Sequence, residues 1–99
     1  MVRINWTRSA VEDLKSISDY ISKDSVRYAK IQVFRLKSRT QVLKANPHVG
    51  RTVPEFVNER YRELIEGNYR IIYKVVDKKR IDILAIHHVA RDLAVRQVE

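Results

Sequence analysis

Five side chains near the end of the chain have types and positions that could do chemistry: Arg62, Arg70, His87, His88 and Arg91. Arg70 lies inside an apolar run, flanked by Tyr69, Ile71, Ile72 and Tyr73. A guanidinium there needs a partner, because an unpaired buried charge is costly. Two partners fit: an internal carboxylate, Glu63 or Asp82 on a neighbouring strand, or an external phosphate or carboxylate held by the guanidinium fork. His88 closes the last apolar run. Set beside Arg70 it would supply general acid–base chemistry next to a phosphate-stabilising cation. Arg62 and Arg91 add positive charge at the ends of the same region.

Other chemistries are disfavoured. The chain has no cysteine, so disulfides, thiolate metal sites and a cysteine nucleophile are excluded, which suits a reducing cytoplasm. With Gly50 and Gly67 its only glycines, no glycine-rich phosphate cradle can form. His87 and His88 are adjacent in a strand, point to opposite faces and cannot chelate one ion, so neither a metal nor a cofactor is expected. No apolar run approaches the ~20 residues of a membrane span, and the N-terminus lacks the apolar segment of a signal peptide.

These residues are positioned by three strands with short polar turns, Tyr61–Ile65, Tyr69–Val76 and Arg80–His88, rich in β-branched and aromatic side chains. Turns this short make neighbouring strands antiparallel. At the other end, Val2, Ile4 and Trp6 alternate with polar residues and mark a first strand. Thr7 then caps a helix whose stripe is Ala10, Leu14, Ile17 and Ile21, ending near Lys23. Asp24-Ser25 opens a second helix with the stripe Ala29, Val33, Leu36, Thr40 and Leu43, stopped by Asn46-Pro47. The short connection predicts an antiparallel helical hairpin.

Pro47–Glu59 is a long loop whose Val49, Val53, Phe56 and Val57 are expected to pack down. Ala90–Glu99 is a tail of a helical turn or two. The predicted order is β-α-α-β-β-β, an α+β single domain spanning residues 1–99, with the helical hairpin on one face of a small twisted antiparallel or mixed sheet. The first strand has no hairpin neighbour; parallel pairing with the last strand would complete a mixed sheet. Trp6 and the tyrosines are mostly core candidates.

Charge is uneven. The formal net charge is +8 and the pI about 10.0, which attracts polyanions such as nucleic acid or an acidic protein. Six basic residues stand between Asp24 and Lys44 against one acid, Asp24. Arg27, Lys30, Arg35, Lys37 and Arg39 make the second helix a basic rod, either a solvated face or a partner-binding surface.

The order strand, WTRSAVEDLKSISDYI, NPHVGRTVPEF, RELIEGNYRIIYKV and IDILAIHHVARDL resembles the RelE/ParE superfamily of type II toxin–antitoxin toxins. The resemblance runs from Val2 to about Leu93 and rests on Gly50-Arg51 before Val53-Pro54-Glu55, Arg62-Glu63-Leu64, Tyr69–Tyr73 and His88-x-x-Arg91. It implies two helices over a small sheet. It also implies a cognate acidic antitoxin that wraps the toxin, with a toxin–antitoxin heterotetramer as one assembly.

RelE-like members cleave mRNA on the ribosome without a metal, and Arg70, His88, Arg62 and Arg91 would be the site in that case. Tyr61 and Glu63 stand where RelE has a lysine pair, and no tyrosine follows His88. ParE-like members act on DNA gyrase and need no catalytic residue. The GR-VPE, RELI and HHVARDL segments look closer to these. The implied partner surface is then the basic helix, Arg27, Lys30, Arg35, Lys37 and Arg39, with Arg51 of the loop and the C-terminal tail.

Overall fold

The computed structural model describes residues 2–90. In chain order they form β1 (Arg3–Trp6), α1 (Arg8–Ser22), α2 (Val26–Thr40), a 3-10 turn (Gln41–Lys44), β2 (Arg51–Thr52), β3 (Tyr61–Glu66), β4 (Tyr69–Val75) and β5 (Arg80–His88). The five strands lie in the order β1-β5-β4-β3-β2. β1 runs parallel to β5, and the other pairs are antiparallel. The mixed α+β sheet with a helical hairpin on one face is the expected architecture. Arg91 and the tail after Ala90 lie outside the described residues.

Local chemistry accounts for the elements. The Thr7 hydroxyl accepts the Ala10 N–H at 3.2 Å and donates to the Ile83 carbonyl at 2.7 Å, so one side chain starts α1 and ties it to β5. Ser25 caps α2 by accepting the Tyr28 N–H at 3.0 Å. The second helix is shorter than expected. It tightens into the 3-10 turn at Gln41, after Thr40 turns its hydroxyl back onto the Lys37 carbonyl. Gly67, at φ 59°, supplies the left-handed residue of the β3–β4 turn.

β2 was not anticipated. Two residues carry no periodic signal, and the strand exists only because Arg51 and Thr52 pair with Glu63 and Arg62 of β3. Gly50, just before it, is fixed by space. An added Cβ would lie 2.6 Å from both the Glu63 carbonyl oxygen and the Tyr73 hydroxyl. That hydroxyl accepts the Gly50 N–H at 3.0 Å and donates to the Pro47 carbonyl at 2.8 Å, so buried Tyr73 anchors the loop.

The main core fills the helix-covered face, with Leu14, Leu36, Leu43, Ile71, Tyr73, Ile81 and Ile83 at its centre. A smaller cluster on the opposite face comprises Val53, Ile72, Leu84 and Ala85, with Phe56 and Tyr61 against it. Val53 and Phe56 therefore pack down as expected. Val49 and Val57 do not: both are exposed, because along this stretch only every third residue, Gly50, Val53 and Phe56 among them, turns inward.

The register contains a β-bulge. Ile72 faces Ala85 but Tyr73 faces Ile83, which leaves Leu84 as the extra residue of β5. Side-chain alternation shifts by one there. Ile81, Ile83 and Ile86 all reach the helical core, and Leu84 and Ala85 both reach the opposite cluster.

Candidate functional site

Arg70 stands on the loop-covered face, cross-strand from His87 and Ile65. Its Nε donates to Glu63 Oε1 at 2.7 Å, and Nη2 is 2.6 Å from the same oxygen. Nη1 and Nη2 donate to the two carboxylate oxygens of Glu55 at 2.8 Å each. The guanidinium fork is thus engaged on two sides by two carboxylates. Hydrogen bonds donated to Glu55, and to a lesser degree to Glu63, raise the Arg70 guanidinium above its already high range, against the opposing effect of burial.

Glu63 has no exposed side chain, and Arg51 Nε bonds its second oxygen from outside, with 64% of the Arg51 side chain in solvent. Two arginines and two glutamates make the cluster neutral overall. A pocket of about 260 Å³ opens beside it, rimmed by Pro54, Ile65 and Val89.

Of the two internal partners expected for Arg70, Glu63 is used and Asp82 is not. Asp82 accepts from Arg80 Nε and Nη2 at 2.8 and 2.9 Å and from Asn5 at 3.1 Å. Arg80 holds the Asp82 carboxyl below the ordinary carboxylate range, burial opposes this, and Asn5 adds to it. Glu55 was missed as a partner. It sits 15 residues from Arg70 on an irregular loop, and no spacing rule links the two.

Of the other described candidates, His87 stands beside Arg70, and Arg62 and His88 do not. Arg62 turns to the helix-covered side, where Nη1 donates to the Gly50 and His48 carbonyls at 2.9 and 3.2 Å and holds the start of the loop. Its Nε is buried without a hydrogen-bond partner among the described residues. His88 pairs across from Tyr69 and lines a groove against α1. Because of the bulge at Leu84, His87 shares the face of Arg70 and His88 does not. The expected pairing of Arg70 with His88 is therefore not formed; the two side chains project from opposite faces of the sheet.

The basic helix is solvent-facing as expected: Arg27, Lys30, Arg35 and Lys37 are exposed, and Arg39 is half-buried with Nε reaching the Ile65 carbonyl at 3.4 Å. Among them Phe34 is 71% exposed and Val26 is 60% exposed. Arg51 does not belong to this surface; it belongs to the glutamate network. No group of three His, Cys, Asp or Glu among the described residues could hold a metal ion. No helix among them is long and apolar enough to cross a membrane.

A further groove of about 520 Å³ lies between α1 and the β4–β5 edge, lined by Asp13, Ser16, Ile17 and Tyr20 on one side and Tyr69, Ile86 and His88 on the other.

A two-helix hairpin over a mixed five-stranded sheet is the fold class of RelE/ParE-like toxins. The family profile described as ParE toxin of type II toxin–antitoxin system, parDE, matches residues 4–93. The chain belongs to that family. A relative from Caulobacter vibrioides, Toxin RelE2, is 33% identical over 91 residues, covering 92% of this chain and 99% of the relative. Among solved structures, the chromosomal ParDE toxin–antitoxin system from P. aeruginosa superposes with a TM-score of 0.74 at 27% identity, covering 90% of this chain and 97% of that one. A chain of the RelBE2 toxin–antitoxin complex from Mycobacterium tuberculosis, at 22% identity and a TM-score of 0.51, covers 88% of this chain and 96% of its own and shares the fold.

Proposed function

We propose that this chain inhibits growth when free, is neutralised by a cognate antitoxin, and acts as ParE-like toxins do, by binding DNA gyrase rather than by cutting RNA. The observation that carries the reading is the state of Arg70. A phosphate-stabilising arginine must offer its fork to a substrate, and this fork is closed by Glu55 and Glu63. His88 cannot assist it from the opposite face. The match to the parDE family profile and the likeness to a ParDE system support the same reading.

The target surface is α2. Its exposed Arg27, Lys30, Arg35 and Lys37 surround the exposed Phe34, which gives a cationic face with an aromatic anchor. Ribosome-dependent mRNA cleavage remains the second reading, favoured by the likeness to the Caulobacter Toxin RelE2 and by the cross-strand register that sets His87 on the face of Arg70.

Induced expression separates the two. Gyrase action gives an SOS response, filamentation and gyrase-dependent cleaved DNA, and Phe34→Ala with Arg35→Glu relieves toxicity without loss of fold. Codon-positioned cuts in mRNA that vanish in Arg70→Lys, with supercoiling intact at high protein excess, would overturn the gyrase reading.

A further inference from the structure

Arg62 and Arg70 stand on paired strands and are answered in opposite ways. Arg70 meets two carboxylates. Arg62 meets none among the described residues: Nη1 donates to the Gly50 and His48 carbonyls, and the buried Nε has no partner. A half-buried guanidinium held only by neutral carbonyls keeps its whole charge, and a charge withdrawn from water without a counter-ion is costly. Arg62 therefore stands oriented but without an anion.

It lines a pocket of about 400 Å³ between the start of the loop, the lead-in to β3 and the end of β4. The Val75 N–H donates to the Arg60 carbonyl at 2.9 Å, which fixes two of these walls to each other. Arg60 and Lys78 join Arg62 in the lining, with His48 beside them. The acids there are Glu59 and Asp77, and Asp77 Oδ1 already accepts the Lys79 N–H at 2.7 Å in the β4–β5 turn. Val75 and Val76 add an apolar wall. The cations by themselves would suit a bare inorganic ion. The valines call for carbon surface as well, and the carboxylates for hydroxyl donors. The volume falls within the roughly 300–1,000 Å³ of ligand clefts.

We propose that this pocket binds a small organic phosphomonoester of the mononucleotide class, its phosphate on Arg62, Arg60 and Lys78, its hydroxyls toward Glu59 and Asp77, and its carbon body against Val75 and Val76. Nη1 is spent on carbonyls, so Nη2 of Arg62 is the donor left for the phosphate. The site is separate from the Arg70 network, which lies on the other face of the sheet. The assignment stands whether the cellular target is gyrase or the ribosome.

The test is NMR titration of the isotopically labelled full chain with AMP, adenosine and inorganic phosphate in turn. AMP is expected to shift His48, Arg62, Val75 and Val76 saturably. Inorganic phosphate should move the same signals with weaker affinity, and adenosine should leave them in place. Arg62→Gln should weaken AMP binding about tenfold, as loss of a charge-assisted contact does. Because Arg62 also holds the start of the loop, a second variant is made at exposed positions only. Arg60→Gln and Lys78→Gln should each weaken binding roughly threefold, the scale of an exposed ion pair. Unchanged AMP affinity in the combined Arg60→Gln, Lys78→Gln chain would overturn the proposal. Adenosine binding as tightly as AMP would remove the phosphate from it, and phosphate binding as tightly as AMP would remove the organic body; either result sinks the assignment. Shifts centred on Arg27, Lys30 and Arg35 of α2 instead would sink it too, by tracing the binding to the general positive charge of the chain.

Discussion

The two faces of the sheet are closed by different physics. On the helix-covered face, α1 and α2 bury a broad apolar layer that includes Leu14, Leu36, Ile71 and Ile81. That stabilisation is non-directional and grows with area. On the loop-covered face the apolar cluster is small, and the remainder of the closure is ionic: Arg51, Glu63, Arg70 and Glu55 in a line from strand to loop. Directional contacts fix one loop path and tolerate little change, because removing one member leaves a buried charge beside it with fewer partners. The lesson is that an arginine in a strand marks the face where position, rather than bulk burial, is being specified.

The ionic face is most sensitive at Glu63. Glu63→Ala strips Arg70 and Arg51 of their shared, fully buried partner and should cost about 3–5 kcal/mol, read by urea unfolding. Replacing both members of the buried pair, Glu63→Leu with Arg70→Met, should recover most of that loss if the cost is one of unpaired charge. On the helical side, Leu36→Ala should cost about 2–5 kcal/mol, with no dependence on salt or on pH across the carboxylate range.

Glu55 separates the loop from the strand. Its side chain is 26% exposed, so Glu55→Gln should cost only about 1–3 kcal/mol, less than the loss of Glu63, while loosening residues 53–59 in hydrogen exchange. Thr7→Ala removes the α1 cap and its bond to Ile83, for about 1 kcal/mol. The smallest effect is at Asp82. Its folded carboxyl titrates below the usual value of 3.8, so its stabilising contribution is present above that pH and is lost as pH falls through the lower, folded value. Asp82→Asn should therefore flatten the acid limb of the stability curve slightly and leave neutral pH almost unchanged.

Much of this was legible in the chain. Both helix caps, the apolar stripes, the three late strands and the basic face of α2 follow from neighbours a few residues apart, where period and capping chemistry act. The rule that mid-strand Arg70 needs an anion was also local, and it offered Glu63 or Asp82, of which Glu63 is used. Choosing among partners was not local. Glu55 reaches Arg70 only because a loop of irregular backbone is laid across the sheet by Val53, Phe56 and the Tyr73 hydroxyl.

Sequence alone therefore settled the two helices and four of the five strands, and which side chains demand a partner, since both depend on short-range geometry and on the cost of burying charge. Which histidine stands beside Arg70 was decided by the folded sheet. Unbroken alternation along β5 would put His88 on that face, but the extra residue at Leu84 exchanges the two. A bulge arises from the fit of two strands to each other and to the layers above and below them. Its position is a property of the assembled sheet and is not written in either strand taken singly.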